Sequence, residues 1–99
     1  ALIDMAEEKG IKVILLSARP ARFKPQTEEW LTKNKIHYDQ LILSHYPELS
    51  DPDYKLKMYR ELIEPFTEVL FTVDDRDSVV QMWRDNAITC LDIAGNHFS

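Results

Sequence analysis

The sequence of 99 residues has the length of one small domain, and its 44% hydrophobic content is typical of a globular protein. A formal net charge of −5 argues against a broad basic surface for nucleic acid. Two glycines, Gly10 and Gly95, cannot form a Walker loop or a dinucleotide-binding fingerprint. No apolar run approaches the ~20 residues that cross a membrane, so no membrane partner is expected.

The hydrophobic pattern predicts helices that alternate with strands. This order predicts an α/β fold with a parallel sheet and helices on both faces, because parallel strands need crossover connections. Helices are predicted at residues 2–9, 26–35, 54–64 and 78–85, and strands at residues 11–16, 40–43, 68–73 and 88–93. The segment before the third helix is predicted to be a loop whose turn residues are Pro47, Asp51, Pro52 and Asp53. The third helix is predicted to have an apolar stripe formed by Leu56, Tyr59, Leu62 and Ile63.

Four large aromatic residues are predicted to be core or helix-packing residues rather than platforms on which bases stack: Trp30, Tyr59, Phe66 and Trp83. The single cysteine, Cys90, excludes an internal disulfide and a zinc cluster. It is predicted to be a buried structural thiol in a reducing compartment such as the cytoplasm. The histidines lack the spacing of metal ligands and are interpreted as structural or exposed: His37, His45 and His97.

Two carboxylates, Asp74 and Asp75, directly follow the strand predicted at residues 68–73. The carboxyl ends of strands are where α/β proteins bind ligands. Adjacent carboxylates raise each other's pKa, and Mg²⁺ is the common remedy. The alternative is that Asp75 or Asp77 caps the next helix while Arg76 neutralises its neighbour.

Other polar groups occur at comparable places. Ser17 and Arg19 follow the strand at residues 11–16, and Lys55 lies in the first turn of the helix that leads to Asp74. The carboxyl ends of parallel strands meet at one edge, so all of these groups are predicted to converge there. A hydroxyl, cations and paired carboxylates suit a phosphate bridged to Mg²⁺.

These residues resemble the haloacid dehalogenase (HAD) superfamily of phosphohydrolases. Residues 15–20, Leu-Leu-Ser-Ala-Arg-Pro, look like its motif II, Lys55 falls where its motif III lysine belongs, and residues 73–76 look like motif IV. A closer likeness, to phosphatase domains of the phage-type polynucleotide kinase/3′-phosphatase, rests on residues 74–76, 79–80, 82–84, 90 and 95–98. The resemblance implies a Rossmann-like parallel sheet and a hydrolase of phosphorylated nucleic-acid ends or small phosphomonoesters.

The resemblance also implies a role for each matching residue. Ser17 would donate a hydrogen bond to a phosphate oxygen, and Arg19 would help to hold the phosphate. Lys55 would balance charge between the phosphoryl group and the nucleophile. Asp75 would ligate Mg²⁺, with Asp74 ligating directly or through water. Lys57 is a poorer match to the motif than Lys55.

The family's motif I, Asp-x-Asp-x-Thr on the first, central strand, has no counterpart here. Its first aspartate is the nucleophile. We therefore expect a four-stranded fold without the central strand, a single domain over residues 1–99 that is the carboxyl-terminal part of a larger one, and no activity. Strand 12–16 could pair directly with strand 68–73, or the unpaired strand edges could support a homodimer.

Two alternatives to the phosphatase hypothesis remain. A non-catalytic HAD-like module would keep the fold without the chemistry. A receiver-type signalling domain also groups acidic residues, a hydroxyl residue and a lysine around Mg²⁺. It would place the acidic pair after its first strand, whereas here the pair follows the penultimate one.

Overall fold

The computed structural model describes residues 9–93, which fall into two compact units that divide between Glu48 and Leu49. The predicted α/β class is confirmed. The first predicted helix lies outside the described residues, except for Lys9, which is in a turn. The tail at residues 95–99 also lies outside them. In chain order the elements are β1 (Ile14–Pro20), α1 (Lys24–Lys33), β2 (Gln40–Ser44), α2 (Asp51–Met58), β3 (Thr72–Asp74), α3 (Asp77–Asp85) and β4 (Cys90–Asp92).

In the first unit, β1 and β2 form a two-stranded parallel sheet. Ile14 lies opposite Gln40, and the register shifts between Leu16 and Pro20. A 3₁₀ turn, Ala21–Phe23, connects β1 to α1. The strand near residues 40–43 and the parallel direction are therefore as predicted.

The prediction for β1 was wrong at both ends. The strand was expected at residues 11–16, with residues 17–20 directly after its carboxyl end, but it starts later and includes Ser17 and Pro20. The ladder starts late because the Val13 amide donates to the Asp39 carboxylate Oδ2 at 2.7 Å. It extends further because Pro20 still lies opposite Ser44. The strand is half-buried rather than buried on both faces.

In the second unit, α2 starts three residues earlier than predicted. Ser50 caps it, since its hydroxyl oxygen accepts a hydrogen bond from the Asp53 amide at 3.3 Å. Pro52 and Asp53 were predicted to be loop residues, but they lie in the first turn of α2, which suits both residue types. Lys55 consequently lies in the second turn of α2. It is therefore away from the amino end of the helix, and a cation is unfavourable only at that end.

A π-helical turn, Tyr59–Ile63, continues α2 and ends before Pro65, as predicted for the helix end. The Glu64 amide donates to the Tyr59 carbonyl at 2.8 Å, which is an i to i+5 spacing. Of the predicted apolar stripe, Ile63 is buried as expected, whereas the wider turn leaves Leu62 exposed. Burial, and then the Glu64 carboxylate, raise the pKa of Tyr59 above its ordinary value.

The second unit has an apolar core in which Trp83 meets the ring of Tyr59 edge-on, with centroids 5.6 Å apart. The amphipathic pattern of α3 was predicted correctly. Cys90 is buried, as predicted. The buried apolar side chains described in this unit are Tyr54, Met58, Ile63, Val79, Val80, Trp83 and Cys90.

Two of the four predicted core aromatics are exposed instead. Trp30 is 57% exposed because α1 buries the adjacent Leu31, and neighbouring positions on a helix point about 100° apart. Phe66 is 77% exposed because it lies in the turn after the π-helical segment, where its amide donates to the Ile63 carbonyl. His37 and His45 are exposed, whereas His97 lies outside the described residues.

The strands β3 and β4 are parallel and pair at three positions, including Val73 opposite Leu91 and Asp74 opposite Asp92. Both strands are shorter than predicted, because only three residues of each are paired with residues of the other. In the described part of the chain, β1 pairs with β2 and β3 pairs with β4. The two alternatives for the unpaired strand edges, pairing of strand 12–16 with strand 68–73 or a homodimer, stay predictions. None of the helices described is long and apolar enough to span a membrane.

The two tryptophans provide a matched test of these packing environments. We expect Trp83→Ala to lower the free energy of unfolding by about 3–5 kcal/mol, because Trp83 is 3% exposed and its removal leaves a cavity. Trp30→Ala should cost less than about 1 kcal/mol. Urea unfolding followed by far-UV circular dichroism measures both, and equal losses would contradict the assigned core.

Candidate functional site

The structure brings Lys55 and Asp74 together within the second unit. The Lys55 ammonium donates to Asp74 Oδ2 at 3.0 Å. Both side chains are 11% exposed, so the pair is largely shielded from water. The second turn of α2 positions the cation, and the end of β3 positions the carboxylate. The Lys55 ammonium is thus placed at the carboxyl end of β3, where it could stabilise a negative charge that develops during a reaction.

Asp51 is a second carboxylate on the same ammonium. Its Oδ1 lies 3.2 Å from Lys55 Nζ, and its side chain is 12% exposed. This contact is an ion pair without hydrogen-bond geometry, because Oδ1 has no hydrogen-bond partner. Asp51 was interpreted as a turn residue. The Asp-x-x-x-Lys spacing, which places both residues on one helical face, was the signal that could have identified it.

Arg76 extends this cluster on its solvent side. Its Nη1 lies 3.2 Å from Asp51 Oδ2, and its side chain is largely exposed. In the alternative interpretation of the sequence, Asp75 or Asp77 caps the next helix while Arg76 neutralises its neighbour. The residue at the N-cap of α3 is Arg76 itself, with no side-chain capping hydrogen bond. The arginine instead pairs with a carboxylate on α2.

The carboxylate of Asp74 is fixed on both oxygens. Its Oδ1 accepts hydrogen bonds from the Asp75 amide at 2.9 Å and from the Arg76 amide at 3.3 Å, while Oδ2 faces Lys55. Asp75 is exposed, and its side chain has no ion-pair partner among residues 9–93. The two adjacent aspartates therefore differ: one is held rigidly by donors, and the other is open to solvent.

The chemistry of this carboxylate pair fits Mg²⁺. Magnesium commonly uses one or two protein carboxylates and completes its shell with water and phosphate oxygens. Asp75 is available to ligate directly, whereas Asp74 would act through water, because its oxygens already face three donors. Within residues 9–93, no group of three or more His, Cys, Asp or Glu side chains is placed to hold a metal ion.

Ser17 and Arg19 lie in the first unit, near the end of β1. The Ser17 hydroxyl oxygen accepts a hydrogen bond from the Arg19 amide at 3.1 Å. That bond uses a lone pair, so the hydroxyl proton remains available to a phosphate oxygen. The convergence of these two residues with Lys55 and Asp74 remains a prediction.

Comparison with known proteins places these motifs in a family. The model of the polynucleotide kinase PNKP phosphatase domain matches residues 1–98. Two solved structures, of a Pnkp1/Rnl/Hen1 RNA repair complex and of a Pnkp1/Rnl/Hen1 complex, contain chains that are 36% identical to this one, with TM-scores of 0.89 and 0.88. Each match covers 94% of this chain.

The chain spans about a third of the length of these solved relatives, 30% and 33% respectively. No curated protein matches it. The family match extends over both described units and over all the residues that carry the predicted motifs. The chain therefore belongs to the HAD-like family of polynucleotide kinase PNKP phosphatase domains.

Proposed function

We propose that this chain is part of a Mg²⁺-dependent phosphomonoester hydrolase domain that acts on polynucleotide 3′-phosphates. The observation that carries the proposal is the Lys55 ammonium, held between Asp51 and Asp74, the second of which directly precedes the exposed Asp75. A fixed cation beside a candidate metal ligand suits the binding of a phosphoryl group. Family membership supports the same reaction class.

Lys55 would hold the phosphoryl group through an ammonium N–H that is not used in its ion pairs with Asp51 and Asp74. An ammonium group has three N–H donors. One is used by Asp74, and the contact with Asp51 lacks hydrogen-bond geometry. The two carboxylates fix the ammonium in position, so that little side-chain entropy remains to be lost when a phosphate binds.

Asp75 and Asp74 would hold Mg²⁺, which, when bound, would offset negative charge on the phosphoryl oxygens. Ser17 would donate its hydroxyl proton to a phosphate oxygen, and Arg19 would contribute a second cation. These assignments follow the family motifs position by position.

The substrate we propose is the phosphorylated end of a nucleic acid. The solved relatives belong to complexes, one of them an RNA repair complex, and the family is named for a polynucleotide kinase. A small phosphomonoester is the simpler alternative, since it needs the terminal phosphate site alone. The buried thiol of Cys90 suits a reducing compartment such as the cytoplasm.

We further propose that the chain alone is inactive, because it has no Asp-x-Asp-x-Thr motif to supply the nucleophile. This absence also keeps a second candidate open, a HAD-like binding or structural module, possible as a homodimer through its strand edges. A receiver domain has no support from the family match. An upstream motif I strand in the parent gene would favour the enzyme.

Phosphate release tests the missing nucleophile. With Mg²⁺ and a 3′-phosphorylated oligonucleotide, we expect no release from the wild type or from Asp75→Asn, because neither chain contains the attacking aspartate. A colorimetric phosphate assay measures this. Release by the wild type that disappears in Asp75→Asn would contradict the inactive assignment, since another group would then be the nucleophile.

Phosphate binding tests the candidate site without requiring catalysis. With Mg²⁺ present, inorganic phosphate should bind the wild type, and Lys55→Met should weaken binding at least about tenfold, equivalent to about 1.4 kcal/mol. Isothermal titration calorimetry gives the affinity. Lys57→Met is the matched control, because the exposed Lys57 ammonium lies two residues away and contacts Glu61 at 2.8 Å. Equal losses in both variants would contradict the role of Lys55.

Two lysine–carboxylate pairs on this helical segment, Lys55–Asp51 and Lys57–Glu61, allow the contribution of the charged group around Lys55 to stability to be tested. Asp51→Asn should lower the free energy of unfolding by about 1–3 kcal/mol, because it removes a carboxylate that two cations share in a shielded place. Glu61→Gln should cost less than about 1 kcal/mol, since the pair that Glu61 forms with Lys57 is exposed to solvent. Urea unfolding compares the two, and a larger loss for Glu61→Gln would argue against the cluster.

A further inference from the structure

Two arginines of the first unit share one aromatic ring. The guanidinium carbon of Arg22 lies 4.7 Å from the centroid of the Phe23 ring, and that of Arg19 lies 5.2 Å from it. Both distances are within the range of a cation–π contact. We call these three residues, Arg19, Arg22 and Phe23, the Phe23 cation cluster.

No carboxylate neutralises the cluster within residues 9–93. Arg19 and Arg22 are both exposed and form no ion pair with the described residues. Two guanidinium groups that share one ring are no more than about 10 Å apart, about the Debye length at 0.1 M salt, so each raises the positive potential at the other. Such a place attracts a ligand with more than one negative charge.

The residue that carries the arginines is partly buried and its backbone is held by a hydrogen bond. Phe23 is half-buried, and its carbonyl accepts a hydrogen bond from the Thr27 hydroxyl at 2.8 Å in the first turns of α1. Arginine side chains that stack on a fixed ring lose less conformational freedom when they bind a ligand. The cluster is therefore preorganised as well as charged.

The position of the cluster indicates what its ligand is attached to. Arg22 follows Ser17 and Arg19 along the turn that leaves β1, and Ser17 and Arg19 are the residues proposed to hold the terminal phosphate. Arg22 lies outside the family motifs identified in the sequence. A second anionic group, attached to the terminal phosphate by a short linker, would meet Arg22. In a single strand of nucleic acid, that group is the adjacent phosphodiester.

We propose that Arg22, stacked on Phe23, contacts the backbone phosphate next to the 3′ end and so selects a polynucleotide over a small phosphate ester. The inference rests on the proposed function for the position of the terminal phosphate. It assigns to Arg22 a separate contact that the terminal phosphate does not require. A local contact of this kind is compatible with the net charge of −5.

The experiment is fluorescence anisotropy with a labelled single-stranded octanucleotide that carries either a 3′-phosphate or a 3′-hydroxyl, at several KCl concentrations with Mg²⁺. Arg22→Gln should weaken the binding of both oligonucleotides by the same factor, about three- to tenfold. It should also lower the slope of log K against log salt by about 0.7, the value for one phosphate contact on a single strand. Lys33→Gln, an equal charge change at an exposed site at the other end of α1, should leave affinity and slope unchanged.

Two further comparisons test the arrangement itself. Phe23→Leu keeps both cations but removes the ring, so it should weaken binding about two- to threefold with the salt slope retained. A 3′-phosphorylated mononucleotide, used as a competitor, should bind the wild type and Arg22→Gln equally, because it has no adjacent phosphodiester.

Each other outcome has a definite meaning. If no oligonucleotide binds, if Lys33→Gln matches Arg22→Gln, or if the mononucleotide loses affinity in Arg22→Gln, the proposal is overturned. Competition by polyglutamate as strong as that by the oligonucleotide would overturn it in favour of an acidic protein partner. Equal binding of both oligonucleotides by the wild type would contradict the 3′-phosphate function. The salt slope of Arg22→Gln would still show whether Arg22 contacts a backbone phosphate.

Discussion

The second unit depends on one charged interaction, the Lys55 ammonium between the carboxylates of Asp51 and Asp74. It connects the amino-terminal half of α2 to the end of β3, two elements that are far apart in the sequence. Because the three side chains are about 11–12% exposed, water screens them little. Loss of any one charge would leave the others poorly compensated, so the cluster constrains both the packing and the electrostatics of the site.

Local structure at both ends of this interaction serves to hold it. The Ser50 cap starts α2 one full turn before Lys55, which places Asp51 and Lys55 on the same helical face. At the other end, the amides of Asp75 and Arg76 bind Asp74 Oδ1 and turn Oδ2 toward the ammonium. The side chain of Asp75 is then left free of these contacts.

The sequence was most informative where one periodic signal determined an element. Val79, Val80 and Trp83 recur at helical spacing, and α3 forms there with all three buried. Lys55 and Asp74 could be identified from motif order, and the structure brings them together. The Ser50-x-x-Asp53 spacing was a readable signal for an earlier start of α2 that the proline and aspartates beside it obscured.

Other features were not readable because they depend on packing between elements. A π-helical turn has no strong local signature, yet it decides that Ile63 and not Leu62 is buried. Trp30 and Leu31 are both apolar, and their sequence does not decide which of them the fold buries; the structure buries Leu31. The pairing of Arg76 with Asp51 likewise requires the fold, since 25 residues separate the two along the chain.

The charges of the molecule are divided in a way that its composition conceals. Its net charge of −5 would argue against a polyanionic ligand if the charges were uniformly distributed. Lys55 is instead compensated by carboxylates, so it presents a positioned donor with little excess charge, which suits one phosphoryl group beside a metal. Arg19 and Arg22 share the Phe23 ring and have no carboxylate partner among residues 9–93, so they retain their attraction for anions there. A compensated cation is selective for the geometry of its ligand, whereas an uncompensated cation attracts any polyanion, so the two kinds of cation respond to different features of an anionic ligand.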